Sequence, residues 1–369
     1  MNALAEELNR TLATSVAYDF LSPTGRRMYF PKGIVAQAAE AGEKAKRYNA
    51  TVGLATKNGQ PFYLEDIYDK FVPGSFKPSE IFNYAPGGGD KKLRAAWKEA
   101  IVRKNPSLKG KKMSLPLVTG GLSHAMSIVA TLFVGPGDKV VCPDLFWDNY
   151  DLIFSELAGG SLSLFPFFKD GGFNVEGMKE ALLAVEGPVA RVILNFPNNP
   201  TGYSPSRKEA DDIVKALVEI ADTGKKLLVL TDDAYFGLFF EEETEKESLF
   251  ARLADAHENI FAIKGDAATK EEMVWGFRIG FITYASKGFD DSHLDALNSK
   301  TLGAIRCTVS NCDRPGQSLL LKAMTEGSSY EKDKKDIFDN MERRYRIMKK
   351  ALENRPYGLL EPHPFNSGY

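Results

Sequence analysis

From about Leu117 to Ala285, short apolar runs alternate with stretches in which apolar residues recur every three to four positions. That is the pattern of strands alternating with helices. Pro116-Leu-Val-Thr-Gly-Gly121 reads as a short strand running into a glycine turn, and Leu122–Val134 as a helix stopped by Gly135-Pro136-Gly137. Lys139–Cys142, Ala190–Asn195, Lys226–Asp232, Asn259–Lys264 and Arg278–Tyr284 read as strands, and Val175–Glu186 and Ser206–Thr223 as amphipathic helices. Strands spaced by helices predict an α/β domain with a mainly parallel sheet. Ligands of such sheets bind beyond the carboxyl ends of the strands. Gly120, Asn195, Asp232 and the segment holding Lys270 each follow a strand, so topology alone brings them to one face. Residues 1–74 and 301–369 are helical, charged and loop-rich, and predict a smaller α+β domain beside a large domain over 75–300.

The length of 369 residues fits two associated domains better than one core. A formal net charge of −2 leaves no basic excess to attract nucleic acid. Three cysteines (Cys142, Cys307 and Cys312) suit a reducing compartment better than a disulfide framework, and neither they nor the four histidines have the spacing of a zinc site. No metal is therefore expected. The N-terminus carries acids where a signal peptide needs a basic start. The longest apolar run, Ile128–Val134, falls far short of the roughly 20 residues that span a bilayer. A cytoplasmic protein with neither nucleic-acid nor membrane partners is the expectation.

Candidate chemistry gathers in a few segments. Gly265-Asp-Ala-Ala-Thr-Lys-Glu-Glu-Met-Val-Trp-Gly-Phe-Arg-Ile-Gly280 places Lys270 eight positions before Arg278. Upstream lie the turn Asn195-Phe-Pro-Asn-Asn-Pro-Thr-Gly202 and Asp232-Asp-Ala-Tyr235. Thr119-Gly-Gly-Leu-Ser-His-Ala125 opens a helix, and a helix start with glycines binds phosphate through its backbone N–H groups. Gly121, Leu122 and Ser123 form that candidate cup, to which Arg278 would add a charge-assisted contact.

In this order, the segments resemble the pyridoxal phosphate site of the class I/II aminotransferases, the fold-type I enzymes, over about Tyr48 to Tyr369. The resemblance implies a seven-stranded, mainly parallel sheet and pyridoxal 5'-phosphate as cofactor. Lys270 would form the Schiff base and shuttle the substrate α-proton. Asp232 would keep the pyridine nitrogen protonated. Its neighbour Asp233 competes for that role, and the family spacing Asp-x-x-Tyr selects Asp232. Tyr235 and Asn199 would bond the cofactor's phenolic oxygen, with Asn195 and Asn198 stabilising the loop. Trp147 matches the ring stacked on the pyridine, with Phe146 as rival. Tyr84 resembles the tyrosine that reaches the phosphate of a neighbouring subunit, which implies a homodimer.

Two departures stand out. The serine usually found three before the lysine is Ala267 here, with Thr269 or Asp266 beside it. The match also stops at Asn366-Ser-Gly-Tyr369, before the arginine that holds a substrate α-carboxylate, which suggests an incomplete chain. Tyr48–Pro61 resembles the substrate loop of aspartate aminotransferases, with Gly53 near the substrate carboxylate. Arg306 falls where that subgroup offers an arginine to a side-chain carboxylate across the dimer. The implied function is a ping-pong transfer of an amino group between an aspartate- or glutamate-like amino acid and a 2-oxo acid. A β-lyase or decarboxylase on the same fold, an aromatic or broad-range aminotransferase, and a regulator domain that binds the cofactor are the alternatives.

Overall fold

The computed structural model describes residues 1–30, 34–47, 49, 51, 53–353 and 361–369. Its centre is a seven-stranded sheet built from β1 (Leu117–Thr119), β2 (Lys139–Pro143), β3 (Ser161–Phe165), β4 (Val189–Asn195), β5 (Lys226–Asp232), β6 (Ile260–Ala267) and β7 (Gly280–Ala285). Their spatial order is β1-β7-β6-β5-β4-β2-β3. Neighbours pair in parallel except at β7, which runs antiparallel to both β6 and β1.

The parallel strands are nearly continuous apolar runs because helices cover both faces of the sheet. Helix α1 spans Lys91–Lys104, α2 Leu122–Phe133, α3 Val175–Ala184 and α4 Arg207–Asp222. In α4, Ser206 and Glu209 form a capping box, and Ala210, Ile213, Leu217 and Ile220 recur on one buried face. Beyond the sheet, α5 (Asp291–Thr308) runs unbroken through position 300, and α6 (Arg314–Glu326) and α7 (Tyr330–Glu353) follow. Short helices and a two-stranded hairpin make up the described N-terminal part.

Three sequence expectations need correction. The strand expected from Arg278 begins at Gly280, because Arg278 itself sits at φ 53, ψ 53 in the left-handed region. The strand expected to end at Lys264 continues to Ala267. The edge strand β3 was not foreseen; its Ser-Leu-Ser-Leu-Phe sequence is short and half exposed.

Register fixes the working end of the sheet. Asn195 pairs with Asp232, and Asp232 with Gly265. Ala267 pairs with Gly280, and Gly280 with Thr119. Four strands therefore end, and antiparallel β7 begins, along one line.

Candidate active site

Along that line the structure gathers Gly121, Asn199, Asp232, Tyr235, Lys270 and Arg278. Lys270 lies in the single turn Ala268–Glu271 that leaves β6, with its Nζ 4.4 Å from the centre of the Tyr235 ring. Burial lowers its pKa from the ordinary 10.5; Asp232 opposes that shift and the Arg278 charge adds to it. Burial raises the Tyr235 hydroxyl to about 12, with Asp232 contributing.

Asp232 is 2% exposed. Its Oδ1 accepts from the Ala234 N–H at 3.1 Å and its Oδ2 from the Tyr150 hydroxyl. Burial raises its pKa, against the pull of Tyr150 and Lys270. Asp233 belongs elsewhere: it accepts from Ser248 Oγ at 2.6 Å and from the buried Lys264 ammonium. Packing thus commits Asp233 to Ser248 and Lys264 and leaves Asp232 beside Tyr150. Tyr150 was missed by sequence reasoning. Its bond to Asp232 spans 82 positions and leaves no local pattern; position three after Trp147 is the one cue. Trp147 meets Tyr150 edge-on at 5.7 Å between centroids, and Phe146 lies parallel to the same ring at 6.3 Å, so both aromatic candidates flank Asp232's donor.

The Asn-Pro-Thr-Gly loop is held from within. Asn195 Oδ1 accepts from the Asn199 N–H at 2.7 Å, and Asn195 Nδ2 donates to the Asp232 carbonyl at 2.9 Å. Asn198 Oδ1 accepts from Thr201 N and Oγ1. The Asn199 amide side chain makes no hydrogen bond among the described residues.

At the start of α2, Gly121 adopts φ 83, ψ 173. A Cβ there would fall 2.5 Å from Arg278 Nη2, so the guanidinium lies directly against the glycine turn. Arg278 donates to the Trp275 carbonyl at 3.2 Å and pairs with no carboxylate among the described residues. Leu122 is buried and Ser123 half-buried in the first turn of α2. Asp266 does not face this cup: Trp97 Nε1 donates to it at 3.2 Å and Lys264 stands 3.2 Å away. Thr269 Oγ1 is buried with no partner.

The remaining candidates lie further out. Gly53 is tied in by its carbonyl, which accepts from the Tyr369 hydroxyl at 3.3 Å; that hydroxyl also accepts from Trp275 Nε1 at 2.9 Å, and the Tyr369 ring meets Tyr235 at 5.3 Å. Within the expected substrate loop, Tyr48, Ala50 and Val52 lie outside the described residues. Tyr84 is 90% exposed. Arg306, in the last turn of α5, is exposed and bonds Ser310 Oγ rather than an acid. Neither makes a hydrogen bond, ion pair or ring contact with the cluster among the described residues. Among the described residues no group of acids, histidines and cysteines could hold a metal, and no helix is long and apolar enough to cross a membrane.

Comparison with known proteins identifies the family. The model of the family "Aminotransferase class I and II" matches residues 54–364. A probable N-succinyldiaminopimelate aminotransferase of Mycobacterium tuberculosis is 30% identical over 52% of this chain and 45% of its own. The shared stretch thus spans about half of that relative. An aspartate aminotransferase of Sulfolobus acidocaldarius is 25% identical over 80% of this chain and 68% of its own. The crystal structure of an aminotransferase from Anaerococcus prevotii shares the fold with a TM-score of 0.79, covering 93% of this chain and 85% of that one at 24% identity. The sheet and its helices are those of fold-type I, and the chain belongs to the class I and II aminotransferases.

Proposed function

We propose that this chain transfers an amino group between an amino acid and a 2-oxo acid in two half-reactions, using pyridoxal phosphate. One observation carries the reading. A half-buried lysine of lowered pKa, a buried aspartate, and an arginine that lies against a glycine turn and pairs with no carboxylate among the described residues converge at one edge of the sheet.

The residues fit the cofactor family members use. Arg278, Gly121 and the first N–H groups of α2 make an anion cradle, and the unpartnered Thr269 hydroxyl beside Lys270 supplies a donor where Ala267 has none. Asp232 suits a protonated ring nitrogen, Tyr235 and Asn199 a phenolic oxygen, and Trp147 or Phe146 a ring face. When bound, pyridoxal phosphate supplies an electron sink for the charge left at the substrate Cα.

The protein's own part is proton transfer and positioning. Lys270 Nζ, deprotonated more readily than a solvated lysine, would take the substrate Cα proton and release it to the cofactor carbon on the other side of the shared nitrogen. The Tyr150 and Ala234 donors favour the charged form of Asp232 against its burial, which suits it to hold a proton on the ring nitrogen. Arg278 fixes the phosphate end.

Substrates that are aspartate- or glutamate-like follow if Arg306 acts across a homodimer, with Tyr84 reaching the partner's phosphate and Gly53 flanking the substrate carboxylate. Division into a large domain over 75–300 and a smaller one from 1–74 and 301–369, with the boundary inside α5, and a cytoplasmic location complete the proposal.

The test is the near-visible spectrum of the protein with pyridoxal phosphate. A band that shifts on adding aspartate, and is absent in Lys270→Ala, is expected. A band that ignores every amino acid tried would refute amino-group transfer.

A further inference from the structure

The two carboxylates that follow Lys270 face away from the site. Glu271 is buried against Lys104 of α1. Glu272 is 1% exposed; it pairs with Lys334 of α7 at 2.7 Å and accepts from the Tyr330 hydroxyl at 2.6 Å. Lys334 also stands 3.8 Å from Glu271. Behind them Lys264 is fully buried between Asp233 and Asp266. Lys104, Lys264 and Lys334 thus face Asp233, Asp266, Glu271 and Glu272 across the back of β6 and the turn that carries Lys270.

Such a cluster is a poor way to gain stability. Desolvation offsets most of the attraction, and well-packed apolar residues of similar volume often do as well or better. Charges do fix atoms in place, and this turn needs fixing. Ala268–Glu271 is a single helical turn, which does not hold its shape alone. It is followed by Met273 and Arg278, both with φ 53. Its two successive carboxylates go to different elements, Glu271 to α1 beside the sheet and Glu272 to α7 in the C-terminal segment.

We propose that Glu272, Tyr330 and Lys334 form a positioning latch that ties the turn bearing Lys270 to α7, so that the seat of α7 sets how deeply the Lys270 amine is held. The inference rests on the reading of Lys270 as the reactive amine. It assigns no contact with substrate to the latch residues; they act through the turn.

The test uses the full-length, cofactor-free protein. Acylation of Lys270 by acetic anhydride is followed across pH by mass spectrometry of the peptide that contains it. The wild-type midpoint is expected below the ordinary lysine range. Tyr330→Phe, which removes one hydroxyl and keeps the Glu272–Lys334 pair, and Glu272→Gln are expected to raise the midpoint by up to about one pH unit, the equivalent of one hydrogen bond. Lys335→Met, which removes an exposed pair with Asp339 on the same helix, leaves it unchanged. Lys334→Arg, which keeps the charge, stays near wild type. Melting temperatures recorded alongside separate a moved amine from a loosened fold. An unchanged midpoint in both Tyr330→Phe and Glu272→Gln, with the proteins folded, overturns the latch. A wild-type midpoint in the ordinary lysine range, in protein that takes up no pyridoxal phosphate, overturns the reading of Lys270 and the latch with it.

Discussion

Adjacent residues of like chemistry can be given different surroundings where a strand ends. Asp232 closes β5 toward Lys270, while Asp233, one step on, turns to Lys264 and Ser248. Substitution should separate the two. Asp232→Asn is expected to leave the fold intact and lower kcat/KM by about 10²–10³-fold, the usual cost of losing one preorganised electrostatic group. Asp233→Asn removes one partner of a buried ammonium that retains Asp266, and should cost about 3 kcal/mol in chemical denaturation. Lys270 itself is held at the expense of stability. Its folded pKa is depressed, so the unfolded chain binds more protons between that value and 10.5. Below the folded pKa the penalty is complete, and it fades as pH rises toward 10.5. Lys270→Met should therefore raise the melting temperature of the cofactor-free protein at neutral pH, by a margin that shrinks in alkali.

At the scale of elements, the site depends on one strand running against the rest. Because β7 starts where β1, β4, β5 and β6 end, Arg278 arrives beside Gly121 without a long loop. Gly121→Ala tests this arrangement. The backbone there has φ 83, ψ 173, a region nearly restricted to glycine, and the new methyl would meet Arg278. A loss of about 1–3 kcal/mol of stability is expected, with weaker uptake of pyridoxal phosphate on titration. Much of this was legible beforehand. The apolar runs of β4 and β5 and the caps of α4 are local signals, and so is the order of Asp232, Tyr235, Lys270 and Arg278. What could not be read depends on partners distant in sequence. The Tyr150 hydroxyl, the direction in which Asp266 points and the ties of Glu272 follow from packing between segments, and β3 was too short and too exposed to announce itself.

The whole molecule leaves some candidates unfulfilled within one chain. Tyr84 and Phe82 are 90% and 84% exposed, and Arg306 ends at Ser310. Tyr84→Ala should leave the melting temperature of the cofactor-free protein within about 0.5 kcal/mol equivalent of wild type, as surface changes do. If Tyr84 serves a partner's site, the same change weakens pyridoxal phosphate binding in a protein that sediments as a dimer, and mixed dimers carrying one Lys270→Ala chain reveal which chain supplies the tyrosine.

The hydrogen bond from Tyr369 to Gly53 joins positions 316 residues apart, and residues 366–368 are stitched by backbone bonds to Gly202, Leu238 and Phe240. Contacts this distant carry the largest loop-closure cost and form last. The wall of the site made by Tyr369, Trp275 and Tyr235 is therefore expected to be completed after the sheet behind it has assembled. During synthesis on the ribosome, a chain that has already buried its central strands would still lack that wall until residues 366–369 emerge.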